Sequence, residues 1–159
     1  MLIETAAPRR TEQSGKLHVV PPLKRPASEA EAIAWLADQV PELRRLLDEH
    51  LAYYEELLPY VVFESDFLRW FVKCVRSGDD APAKRFVEAI EPLMTTTIKP
   101  PANDRVWNLT AVCFVEGLVM QGDDDVVERA RPWMGPATWE DVQHQFWYRE
   151  GKLPPPRRS

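Results

Sequence analysis

DRVWNLTAVCFVEGLVM, residues 104–120, is the stretch around which the chain is organised. Read as a helix turning about 100° per residue, it is apolar over most of its circumference. Val106, Trp107, Leu109, Ala111, Val112, Cys113, Phe114, Val115, Leu118, Val119 and Met120 leave only a narrow polar edge. A helix of this kind is covered by neighbours on several sides. It is short for a membrane span, and Arg105, Asn108 and Glu116 interrupt it. Val106, Thr110, Cys113 and Gly117 fall on one stripe at helical spacing, where small side chains let a second helix approach. Glu116 has two readings: a place on the wet edge with Arg105 and Asn108, or a part-buried acid with a raised pKa.

Outward from this core helix the pattern stays helical. Ser28 with Glu31 three residues on is a capping-box start, followed by Ile33, Trp35, Leu36 and Val40. Pro41 fits the first turn of a second helix, 41–58. Its Leu43, Leu46, Leu47, His50, Leu51, Tyr53, Tyr54, Leu57 and Leu58 share one arc, taken as the inner face. Pro59 ends it, YVVFESDF turns the chain, and Ser65 or Asp66 caps a third helix to Arg76. SGDDAP is a loop, and a fourth helix runs over 82–94, with Pro92 predicting a kink or an early stop. Asp123, Asp124 and Asp125 open a sixth helix and oppose its dipole. Thr138 caps a last helix, in which Trp139, Val142 and Phe146 face inward and Trp147 and Tyr148 cannot both join them.

No strand pattern competes. The expectation is an all-α protein of about seven helices in a bundle of antiparallel helical hairpins, pairing 41–58 with 66–77, 82–94 with 104–120, and 123–133 with 138–150. A short stack of the HEAT type is the second choice, because no fixed repeat period is visible. The domain is expected over 28–150. Proline-rich basic segments, 1–27 and 151–159, are expected to be disordered or loosely packed tails.

Charge is segregated along the chain. Five basic side chains face two acidic ones in 1–27, three basic and no acidic ones lie in 151–159, and the total is −5, so 28–150 carries −11. An acidic body repels phosphates, so nucleic acid is not expected; the charge suits a basic protein partner or, as the plainer reading that charge alone favours, keeps the protein soluble. The absence of an apolar leader or spanning segment predicts a cytoplasmic protein that does not engage a membrane. Cys74 and Cys113 match no metal or redox spacing and are expected to be buried free thiols. No phosphate-binding glycine loop, HExxH, GxSxG or Cys/His cluster is present, so neither a cofactor, a metal nor a catalytic residue is assigned and an enzyme is not expected. His50 lies near the middle of an apolar arc, as a core histidine held by one hydrogen bond does; its own helix offers no partner for chemistry.

LLDEHLAYYEELLPYVVFESDFLRW, residues 46–70, followed by WNLTAVCFVEGL, residues 107–118, resembles an uncharacterised family of small bacterial all-helical domains. Glu56, Leu57, Leu58, Pro59, Phe63, Asp66, Arg69 and Trp70 carry the first part of the resemblance. Phe114, Val115, Glu116 and Leu118 carry the second, within a span of 43–135. Small acidic proteins of this sort look like immunity proteins of bacterial toxin systems. The resemblance implies a helical fold and a protein partner, and it assigns no catalytic residue. The expected function is therefore a non-enzymatic, antitoxin-like module that neutralises a basic effector through an acidic face. The alternative is a helical scaffold or adaptor docking by its basic tails. The partner surface is expected at Asp48, Glu49, Glu55, Glu56, Asp79, Asp80, Asp123, Asp124 and Asp125, with Trp147 and Tyr148 as aromatic anchors.

Overall fold

In a computed structural model, which describes residues 24–153 and 155–157, seven helices pack around one apolar core. They are α1 (Glu29–Gln39), α2 (Leu43–Tyr54), α3 (59–77), α4 (Asp80–Met94), α5 (105–120), α6 (Asp124–Ala130) and α7 (Pro136–Arg149). No strand occurs among the described residues. The expected packing of Val19, Val20 and Leu23 lies outside them.

Two helices contain a π-helical turn. In α3, Pro59–Val61 leads into the π-turn Val62–Phe67 and then Leu68–Ser77. In α5, Arg105–Thr110 leads into the π-turn Ala111–Glu116 and then Gly117–Met120. The two π-turns pack on each other. Such turns widen the helix locally and rotate the later residues out of phase with the earlier ones; they recur at functional sites. The phase change explains why Met120, expected inside, is exposed; Val112 is exposed because it lies on the polar edge between Asn108 and Arg105.

α5 is the centre of the bundle: α1, α3, α4, α6 and α7 all pack against it. That pattern distinguishes a bundle from a linear stack, in which each unit meets only its neighbours. The expected pair α4–α5 is in contact, whereas α2 meets α3 mainly through the π-turn Val62–Phe67, ahead of most of the expected 66–77. α6, however, packs mainly on α3 and α5, and α7 on α4 and α5, rather than closing a hairpin of their own. Phe114 of α5 is fully buried between Phe71 and Phe86, at ring-centroid distances of 5.3 and 5.6 Å. The small-residue stripe of α5 is buried throughout, and a Cβ at Gly117 would stand 2.7 Å from Leu68 Cδ2, so α3 crosses there at close range. Glu116 lies on the exposed edge.

Several boundaries differ from the sequence reading. α2 stops at Tyr54, because Glu55 takes a left-handed conformation at φ 61°. Pro59 begins α3, so YVVFESDF is helical and neither Ser65 nor Asp66 is a cap. Pro92 sits in the last turn of α4 without ending it. Asp104 caps α5 by accepting from Val106 N–H and Trp107 N–H. α7 opens at Pro136, not at Thr138, and its cap comes from another helix: Glu91 of α4 accepts from Ala137 N–H and Thr138 N–H. The capping-box start of α1 holds, with Ser28 Oγ accepting from Glu31 N–H. Cys74 and Cys113 are free and buried.

Candidate functional site

The far end of α2 projects from the bundle. Of the residues assigned to its inner arc, Leu43, Leu47 and His50 are buried. Leu51, Tyr53 and Tyr54 are exposed, Tyr53 at 79%. The early stop of the helix causes this, since the chain turns at Glu55 before the last turn can reach the core. Left-handed backbone is uncommon for a non-glycine residue and persists where the surroundings fix it. His50 is part of that fixing: its Nε2 accepts from Leu58 N–H at 3.0 Å and ties the turn to α2.

With Nε2 as acceptor, the ring proton of His50 resides on Nδ1. Nδ1 is buried and has no hydrogen-bond partner. It faces Asp66 Oδ2 at 3.8 Å, beyond hydrogen-bond reach, and the His50 side chain is 0% exposed. Asp66 comes from the π-turn of α3. Burial pushes its carboxyl above the ordinary carboxylate range, and His50 and Arg69 only partly offset that. Tyr54 leans on the His50 ring at 4.7 Å, and Tyr53 meets Tyr54 edge-on at 4.8 Å. Leu46, Glu49, Val61 and Ser65 complete a cleft of about 320 Å³ between α2 and α3. Sequence reasoning named His50 but took its tyrosine neighbours for core and Asp66 for a cap. The spacing of His50 and Tyr54 at i and i+4 was readable; the arrival of Asp66 from the next helix was not.

The expected acidic surface is divided. Arg76 of α3 reaches Asp123 at 2.8 Å and Asp125 at 3.1 Å. Arg129 holds Asp80 at 3.2 Å, Arg149 holds Asp124 at 2.6 Å, and Arg45 holds Glu49 at 2.8 Å. The Arg149 hydrogen bond keeps Asp124 below the ordinary carboxylate range, and the Arg76 hydrogen bond does the same for Asp125. Asp48, Glu55, Glu56 and Asp79 are exposed and form no ion pair among the described residues. Two of these four, Glu55 and Glu56, stand at the end of α2, next to the exposed tyrosines, and Asp48 lies in the middle of the same helix. Trp147 and Tyr148 are exposed at 38% and 54% on α7. Lys152 lies over the Trp147 ring at 5.4 Å, and Pro155 and Pro156 form a small cleft with Trp147 and His144.

The described residues of the basic ends contact the body. Arg25 pairs with Asp104 at 2.9 Å and donates to the carbonyls of Pro92 and Leu93; Pro26 beside it is buried. Arg157 pairs with Asp141 and stacks over Trp107 at 5.1 Å. The Asp141 side chain is 0% exposed, and burial raises its pKa against the opposing pull of Arg157. The boundary expected at 27/28 therefore falls within one anchored contact, and that at 150/151 leaves out another.

Among the described residues, no group of three or more His, Cys, Asp and Glu is placed to hold a metal ion. No described helix is long and apolar enough to cross a membrane. Comparison with known proteins gives one family model, a domain of unknown function (DUF7674), matching residues 33–148. No curated protein and no solved structure matches.

Proposed function

The chain belongs to the DUF7674 family, and we propose that its helical domain is a non-enzymatic protein-binding module that engages a basic partner through the end of α2. One observation carries this reading. Glu55 and Glu56, without internal ion pairs, directly follow Tyr53 and Tyr54, which with Leu51 the fold leaves uncovered, and the unpaired Asp48 stands on the same helix. Exposed tyrosines next to free acids suit an interface whose centre buries aromatic anchors and whose rim steers a positive partner. The internally neutralised aspartates of α6 and Asp80 add less to such a field. Its most concrete form is an immunity or antitoxin-like protein that neutralises a basic effector. The scaffold alternative docks by the basic ends, of which Arg25 and Arg157 are already paired with Asp104 and Asp141.

The test is the affinity of a partner purified with the native protein, measured at low and high salt. Glu55→Lys with Glu56→Lys lowers the association rate, and salt slows association of the wild type. An acidic partner, or binding indifferent to salt and to these reversals, overturns the reading.

A further inference from the structure

We infer that the cleft between α2 and the π-turn of α3 seats one arginine side chain of a protein partner, with its guanidinium on the carboxylates of Asp66 and Glu49 and its plane against Tyr53 and Tyr54. The inference rests on the protein-binding reading above and names what enters the surface. Its footing is local. Asp66 accepts no hydrogen bond among the described residues, although it is half-buried. Beneath it, the buried Nδ1 of His50 points a proton at Oδ2 across 3.8 Å and finds no acceptor. A buried donor without an acceptor is uncommon in a native fold, and here a half-exposed carboxylate stands just beyond its reach.

A cation completes it. A guanidinium on the outer face of Asp66 holds that carboxylate ionised, and a movement of roughly 1 Å brings Oδ2 within hydrogen-bond reach of His50 Nδ1. The buried donor of His50 then has its acceptor. An anion is excluded by Asp66 and Glu49 together. His50, Glu49 and Asp66 all line the cleft, but they do not come together as a group that could hold a metal ion. Arginine fits better than lysine: its planar, weakly hydrated head makes forked bonds to carboxylates and stacks on aromatic faces. The chain's own cations leave room. Arg45 holds Glu49 only on the exposed side, where both side chains are more than half exposed, and Arg69 acts on Asp66 without bonding to it.

The experiment titrates the full chain with N-acetyl-arginine N-methylamide and with the neutral citrulline counterpart, following the His50 and tyrosine ring signals by NMR. Saturable shifts of His50 and Tyr54 with the arginine compound, and about tenfold weaker binding of citrulline, are expected. Asp66→Asn, isosteric and at a half-exposed position, abolishes the difference between the two compounds while the thermal midpoint is retained. Tyr53→Ala, at a residue 79% exposed, weakens the arginine response without touching the core. Equal responses to both compounds, no response at His50, or an unchanged preference in a folded Asp66→Asn protein overturns the socket. If the socket fails while Glu55→Lys with Glu56→Lys still slows a basic partner, the docking surface stands without it. If both fail, the surface reading falls as well.

Discussion

Glu91 on α4 holds Thr138 on α7 by two bonds to the same carboxylate oxygen, at 2.7 Å from the hydroxyl and 3.1 Å from the backbone N–H. The other oxygen takes Ala137 N–H at 2.7 Å. A helix start is thus capped from a different helix, across 46 and 47 positions of chain. Gly135 permits the approach, because a Cβ there would lie 2.3 Å from the Glu91 carboxyl carbon.

Glu91→Ala should therefore cost about 2 kcal/mol, the loss of a cap together with orphaned N–H groups. Gly135→Ala should destabilise as well, by driving Glu91 out of place. Urea unfolding of both variants and of the double variant checks this. Additive losses would show that the two positions act independently.

Phe114→Ala should cost about 3–5 kcal/mol, since the ring is fully buried against Phe71 and Phe86. Chemical denaturation measures it. A loss below about 1 kcal/mol would mean that α5 is not the centre of the core.

The thiols should stay silent in the folded protein. Burial pushes Cys113 up to about 12, with Glu64 and Glu116 adding to it, and burial also raises Cys74. A thiol reagent at pH 8 should label neither at a rate faster than global unfolding. Labelling of native protein in seconds would contradict the burial of both groups.

Acid should act in opposite senses at two aspartates. Burial raises Asp104, but bonds from Thr96, Trp107 N–H and Arg25 outweigh it, and its pKa is lowered from 3.8. Its contribution is complete above the ordinary carboxylate pKa and lost as pH falls through the lower folded value. Asp66 is raised from 3.8, so stability falls as pH rises from there through its folded value. Asp104→Asn should flatten the acid limb of the stability curve, and Asp66→Asn should hold or gain stability at pH 7. Thermal midpoints between pH 2 and 7 give both slopes.

Removing 151–159 should cost about 2 kcal/mol at neutral pH, because the buried Asp141 loses Arg157, itself part-exposed. Arg157→Ala should reproduce most of that loss. A truncated chain as stable as the full one would return the segment to the loosely packed tail expected from its composition.

The helices could be read from the sequence alone. Their apolar periodicity, the Ser28 start, the break at SGDDAP and the wrapped hydrophobicity of 104–120 are local signals, and each corresponds to an element or a boundary of the bundle. The stripe through Gly117 also pointed to a close crossing, now with Leu68. What the tertiary structure decided involves groups far apart in the chain or shifts in helix phase. A regular 100° step places Met120 inside; the π-turn of α5 moves it out. Propensity carries α2 onward to Leu58, whereas the His50–Leu58 bond settles a left-handed turn at Glu55 and uncovers the tyrosines. Composition shows an acidic body but not which acids are free. Arg76, Arg129 and Arg149 reach their aspartates from 25 to 49 positions away, and only the packing of α3, α6 and α7 brings those charges together. Side-chain period reports a face of one helix; an ion pair or a cleft needs two, and their meeting is fixed by the core between them.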